Sequence, residues 1–142
     1  MTKTMLATLA LGAAVTFAGP AFAEKMKATL DGKSEVPANT SAGTGTADID
    51  YDAAAKKLTW KVTYSGLSGP ATAAHFHGPA EAGKNAGVAV AIPNAGTSPA
   101  EGSATLTDAQ AADLIAGKYY VNVHTAANPG GEIRGQVMPP KS

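Results

Sequence analysis

The sequence predicts an all-β fold, a Greek-key-like β-sandwich or barrel of about eight strands with one short helix. Three features carry that expectation. Apolar and polar residues alternate with a period of two over most of the chain, Gly, Pro, Asn and Ser interrupt the alternating runs at short intervals, and a single stretch has helical grammar.

The first segment stands apart from this pattern. MTKTMLATLALGAAVTFAGPAFAEK offers Lys3, an apolar run from Met5 to Ala18, a helix-breaking Gly19-Pro20 and a small-x-small end at Ala21-Phe22-Ala23. It reads as a secretory signal peptide, residues 1–23: the run falls short of the roughly 20 apolar residues a membrane span needs and closes on a cleavage-type sequence. Of 142 residues, removal of 23 leaves 119, residues 24–142, enough for one domain with a modest core. The expected product is periplasmic or secreted, with no stable membrane span after cleavage.

Strands follow in order. Met26 to Leu30 comes first, then TADIDYD, with Ala47, Ile49 and Tyr51 inward and Asp48, Asp50 and Asp52 outward. KLTWKVTYS places Leu58, Trp60, Val62 and Tyr64 on one face and Lys57, Thr59, Lys61 and Thr63 on the other, and the short AAAKK between these two runs suits a hairpin. Further strands are expected at Ala71 to His77, Gly87 to Ile92, Ser103 to Leu106, Tyr119 to Thr125 and Glu132 to Val137. TDAQAADLIAGK is the helix: Thr107 is its N-cap, Gln110 completes a capping box, Leu114 and Ile115 are its apolar contacts, and Gly117 ends it. The MPPKS tail is expected to fray.

Composition excludes several functions. Removing Lys3 from eleven basic residues leaves ten against eleven acidic ones, a formal −1 with the basic residues scattered, so no nucleic-acid partner is expected. With no cysteine there is no disulfide framework, thiolate metal site or cysteine nucleophile. Ser34, Ser41 and Ser103 lack a G-x-S-x-G elbow. The Asp48, Asp50, Asp52 row lacks the glycine and glutamate of a calcium loop and reads as a solvated strand face.

Chemistry concentrates in the three histidines. His75 and His77 alternate with Phe76, so both leave the core face if Phe76 enters it; in YYVNVHT, Tyr119, Val121 and Val123 are the core set, leaving Tyr120, Asn122 and His124 opposite. An antiparallel hairpin through AANPGG would set Glu132 beside His124 and Asn122 near Arg134. Three imidazoles can hold copper or zinc with one position open, here with Glu132 as the outer partner of His124. The plainer reading is hydrogen bonding and cross-strand packing on a polar face, and proton transfer without a metal is a third. Arg134 could grip a carboxylate or be a locally paired charge, and Glu35, before Pro37 in KSEVPA, reads as a surface-loop carboxylate.

Four stretches, LDGKSEVPA at Leu30 to Ala38, AAHFHGPA at Ala73 to Ala80, GKYYVNVHT at Gly117 to Thr125 and NPGGEIRGQV at Asn128 to Val137, resemble in order and spacing the chordin-type CHRD domain. The resemblance covers nearly all of residues 24–142. It implies an exported single-domain β-rich protein like the family's bacterial members, whose animal counterparts repeat the domain inside extracellular regulators of growth-factor signalling. It marks Glu35, His75, His77, His124, Glu132 and Arg134 as the polar positions of the motif. The expectation is a non-enzymatic binding or structural module for an extracytoplasmic ligand or protein of unknown identity, with a copper or zinc carrier or metalloenzyme built on His75, His77 and His124 as the alternative. A looser similarity, H-x-H on a strand as in copper-zinc superoxide dismutase, lacks that family's further ligands and disulfide, so dismutase activity is not expected.

Overall fold

The computed structural model describes residues 23–139, so the segment read as a signal peptide lies, but for Ala23, outside the described residues. Eight strands and one helix form the domain: β1 Glu24–Asp31, β2 Thr44–Asp52, β3 Lys57–Ser65, β4 Ala71–His77, β5 Val88–Ala91, β6 Ala100–Thr105, α1 Asp108–Ile115, β7 Tyr120–Thr125 and β8 Ile133–Gln136. A 3-10 turn at Gly32–Ser34, unforeseen from the sequence, follows β1; Asp31 caps it by accepting from the Ser34 backbone N–H at 2.9 Å.

All neighbouring strands are antiparallel, in the order β5-β4-β7-β8-β1-β2-β3-β6, and the sheet curls into a nearly closed barrel. The AAAKK hairpin forms as the alternation requires, with Ile49 opposite Trp60 and Tyr51 opposite Leu58, so that their large side chains stack on the core side. Curling brings distant strands together inside. Trp60 of β3 meets Phe76 of β4 edge-on, ring centres 5.3 Å apart, in a core that also holds Leu30, Val62, Val121, Val123, Ile133 and Val137. Gly102 of β6 lies against the Trp60 indole, where a larger side chain would collide with the ring.

The helix has its capping box, Thr107 with Gln110, and ends before Gly117, whose φ of +75° only glycine adopts freely. β6 starts at Ala100, three residues earlier than the alternation suggested, because it borrows its register from Val62 and Lys61 of β3. Met138, expected to fray, instead makes an isolated bridge with Lys27. No helix among the described residues is long and apolar enough to cross a membrane.

Candidate metal centre

The site is built on the outer face of β4, β7 and β8. Phe76, Val121, Val123 and Ile133 enter the core, and alternation sends His75, His77, Tyr120, Asn122, His124 and Arg134 to the other side. Register then groups them: His75 pairs with Asn122 and Asn122 with Arg134, His77 pairs with Tyr120, and His124 with Ala73.

This outer face is not open to water. The segments after β1, between β4 and β5, and between β7 and β8 fold over it, leaving His77 only 8% exposed, Asn122 3% and Arg134 2%, with His75 and His124 half-buried. Burial obliges each polar group to find a partner. The His77 Nδ1–H donates to the Ala86 carbonyl at 2.9 Å and the His124 Nδ1–H to the Pro129 carbonyl at 2.8 Å. A carbonyl only accepts, so in the neutral rings both Nε2 atoms carry lone pairs. His75 Nδ1 lies 3.1 Å from His124 Nε2, and one nitrogen from each of the three rings falls within 4.8 Å of the others. His77 Nε2 is buried with no hydrogen-bond partner among the described residues.

Electrostatics favour the neutral imidazoles. Burial pushes the His75 and His77 pKa values below the ordinary histidine range, with the neighbouring histidines adding to the shift. Tyr120, which sequence reasoning did not single out, is the support for His77: its ring stacks on the imidazole at 4.8 Å and 3°, and the Arg134 guanidinium sits over the same ring, 3.5 Å from its centre. Its position opposite His77, on the same strand face, was the available signal. Arg134 is a buried, locally held cation; it donates to Asn85 Oδ1 at 2.8 Å and to the Lys84 carbonyl.

Two expectations need correction. Glu35 is a buried group, 6% exposed, because the segment carrying it closes over the sheet. Burial raises its carboxyl to about 7, against the opposing pull of the Arg134 charge and of Asn122. A carboxyl raised on folding adds stability that is complete below its ordinary value of 4.5 and lost as the pH rises through about 7. His75 and His77, shifted down, act oppositely as the pH falls below about 6.5, equally in both proteins compared. Glu35→Gln should therefore lose less melting temperature than the parent between pH 5 and pH 8; an identical loss in both would contradict this assignment.

Glu132 does not orient His124. It lies in a bend ahead of β8, after Gly131 with its φ of +126°, so strand alternation does not govern it. Its carboxylate turns instead to Ser41 Oγ (2.9 Å), the Ser68 N–H (2.9 Å) and Oγ, Thr125 Oγ1 (2.8 Å) and Asn128 Nδ2 (3.1 Å). The Pro129 carbonyl takes the place beside His124 foreseen for Glu132. Glu132 is thus the clasp of three connecting segments, one of which presents that carbonyl.

Gly131 also permits the close approach of Glu35 and Asn122, since a Cβ there would run into the Glu35 carboxyl oxygen and the Asn122 amide nitrogen. Gly131→Ala combines this collision with an unfavourable φ, and we expect about 1–3 kcal/mol of destabilisation in urea titrations, an unchanged midpoint being the contrary result.

What three such nitrogens can do chemically is bind a cation. They have the residue type of an imidazole ligand set, with outer hydrogen bonds on His77 and His124; the cluster takes in His75, His77 and His124 and leaves out Glu35, Arg134 and Glu132. Neither a curated protein nor a solved structure matches the chain. A family model described as CHRD domain matches residues 26–137, a span that takes in β1 to β8 and all the residues just described, and the chain belongs to the CHRD domain family.

Proposed function

We propose that this CHRD domain is an exported, non-enzymatic binding module whose binding group is a copper or zinc ion held by His75, His77 and His124. The observation that carries the reading is the pair of outer hydrogen bonds: backbone carbonyls of Ala86 and Pro129 fix the protons of His77 and His124 on Nδ1 and leave both Nε2 lone pairs unprotonated, in a cluster where one nitrogen of each ring lies within 4.8 Å of the others. Ordinary surface histidines have no need of a fixed tautomer. Metal-ligating histidines almost always donate their other N–H to a carbonyl or carboxylate. Copper and zinc suit an all-imidazole set better than calcium or magnesium, which take oxygen ligands.

Export is supported by the amino-terminal sequence and by the extracellular habit of CHRD domains. The test is calorimetric titration of residues 24–142 with Cu(II) and Zn(II) at pH 7.5 and 5.5, beside His75→Ala and His124→Ala. One saturable event is expected, lost in either variant and weaker at the lower pH because protons compete for the imidazoles. Curves unaffected by both substitutions would leave the histidines as scaffold. Turnover that requires both added metal and His75 would instead establish the metalloenzyme alternative.

A further inference from the structure

The buried side-chain atoms without a hydrogen-bond partner among the described residues include three acceptors on His77 of β4, Asn122 of the neighbouring β7 and Glu35, which meets Asn122 beside Gly131: His77 Nε2, Asn122 Oδ1 and Glu35 Oε1. All three belong to residues more than nine-tenths buried. Asn122 stands between the other two, close enough to influence the ionisation of both.

The orientation of its amide follows from its neighbours. Asn122 Nδ2 is directed to the Gly130 carbonyl at 3.4 Å, and both Nδ2 and a Glu35 carboxyl oxygen close on the space beside the Gly131 Cα. Carbonyl and carboxylate oxygens accept, so the amide nitrogen belongs on that side and Oδ1 on the other. His77 Nε2, meanwhile, is a bare lone pair because its proton is on Nδ1. Two acceptors, one imidazole and one carboxamide, are therefore buried together with no proton between them. In a site of low dielectric that arrangement is costly unless a cation or a strong hydrogen-bond donor completes it.

Resting on the metal-binding reading above, we propose that Asn122 is the fourth polar group of the site: its Oδ1 accepts a hydrogen bond from the water that fills the ion's open position. Three imidazoles leave a first-row divalent ion one position for water, and water on such an ion is a stronger donor than bulk water. Asn122 supplies an acceptor and no competing negative charge. The connecting segments cover His77 and Asn122, which suits a site that holds an ion and its water and does not present the open face a large substrate would need.

The test uses residues 24–142 loaded with Co(II), whose visible d–d bands report coordination directly, with circular dichroism melts to confirm folding. Asn122→Leu and the better strand former Asn122→Val both remove the hydrogen-bond acceptor; each should weaken Co(II) binding about 10-fold or more and alter the d–d spectrum. If Asn122→Leu does not fold, Asn122→Val decides. Parent-like affinity and spectrum in the Asn122 variants, while His77→Ala abolishes binding, would overturn this inference and leave the tri-histidine reading standing. Failure of the parent protein to bind Co(II), Zn(II) or Cu(II) would overturn both.

Discussion

Replacing Glu132 by alanine is expected to cost about 4 kcal/mol or more of stability, estimated from several hydrogen bonds to a charged group at about 1.5–3 kcal/mol each, not all of them independent. The carboxylate is fully buried and accepts from Ser41, Ser68, Thr125 and Asn128. Alanine would leave the buried Thr125 hydroxyl and the half-buried donors of Ser41 and Asn128 without their acceptor, a damaging way to break a polar network. The expected readout is a large fall in the urea midpoint, or no folded protein at all. A shift within the range of ordinary surface substitutions, about 0.5 kcal/mol, would show that water replaces the carboxylate easily.

Acid should reproduce part of that loss. Burial alone would raise the Glu132 pKa, but the hydrogen bonds from Ser68, Thr125 and Ser41 outweigh it and hold the group at about 2, below its ordinary 4.5. A carboxyl lowered on folding contributes stability that is complete above the ordinary value and lost as the pH falls through the folded one. The parent protein should therefore lose stability between about pH 4.5 and pH 2, and Glu132→Gln should lack this component.

The second large effect concerns the ion. A four-ligand structural zinc site contributes about 10–16 kcal/mol of binding free energy, so one imidazole represents about 3–4 kcal/mol, or two to three powers of ten in affinity. His77→Ala should show the full loss, because His77 alone among the three is buried with its ligand nitrogen otherwise unpartnered. The accompanying thermal experiment has a clear sign. Zn(II) at 100 times its dissociation constant should stabilise the parent by about 2.7 kcal/mol and His77→Ala by about 0.4 kcal/mol or less. Equal stabilisation of both proteins would place the bound zinc elsewhere.

Much of this architecture is legible in the residues. The alternation in TADIDYD and KLTWKVTYS determines both the hairpin and its register, and Thr107, Gln110 and Gly117 delimit the helix, because these are local signals whose physics does not depend on the rest of the chain. Period-two spacing likewise puts His75 and His77 on one face, with Asn122 paired to Arg134 on the neighbouring strands. What could not be read was the roof. Burial of Glu35 and Arg134, the capture of His124 by Pro129 and the turning of Glu132 to Ser41 and Ser68 all depend on irregular segments with no periodicity, brought over the sheet by contacts distant in sequence. Extrapolating strand parity through Gly131 led to the wrong partner for His124, since one residue in a left-handed conformation is enough to redirect the next side chain.

The central claim is that His75, His77 and His124 form a metal centre, and the most direct measurement is a crystal of the zinc-loaded protein with anomalous diffraction recorded on both sides of the zinc edge. The account predicts one dominant anomalous peak bounded by the three imidazoles, with zinc–nitrogen distances of about 2.0–2.1 Å to each. A peak elsewhere, such as on the acidic face of β2, or an undistorted His75–His124 hydrogen bond of 3.1 Å with no peak beside it, would contradict it.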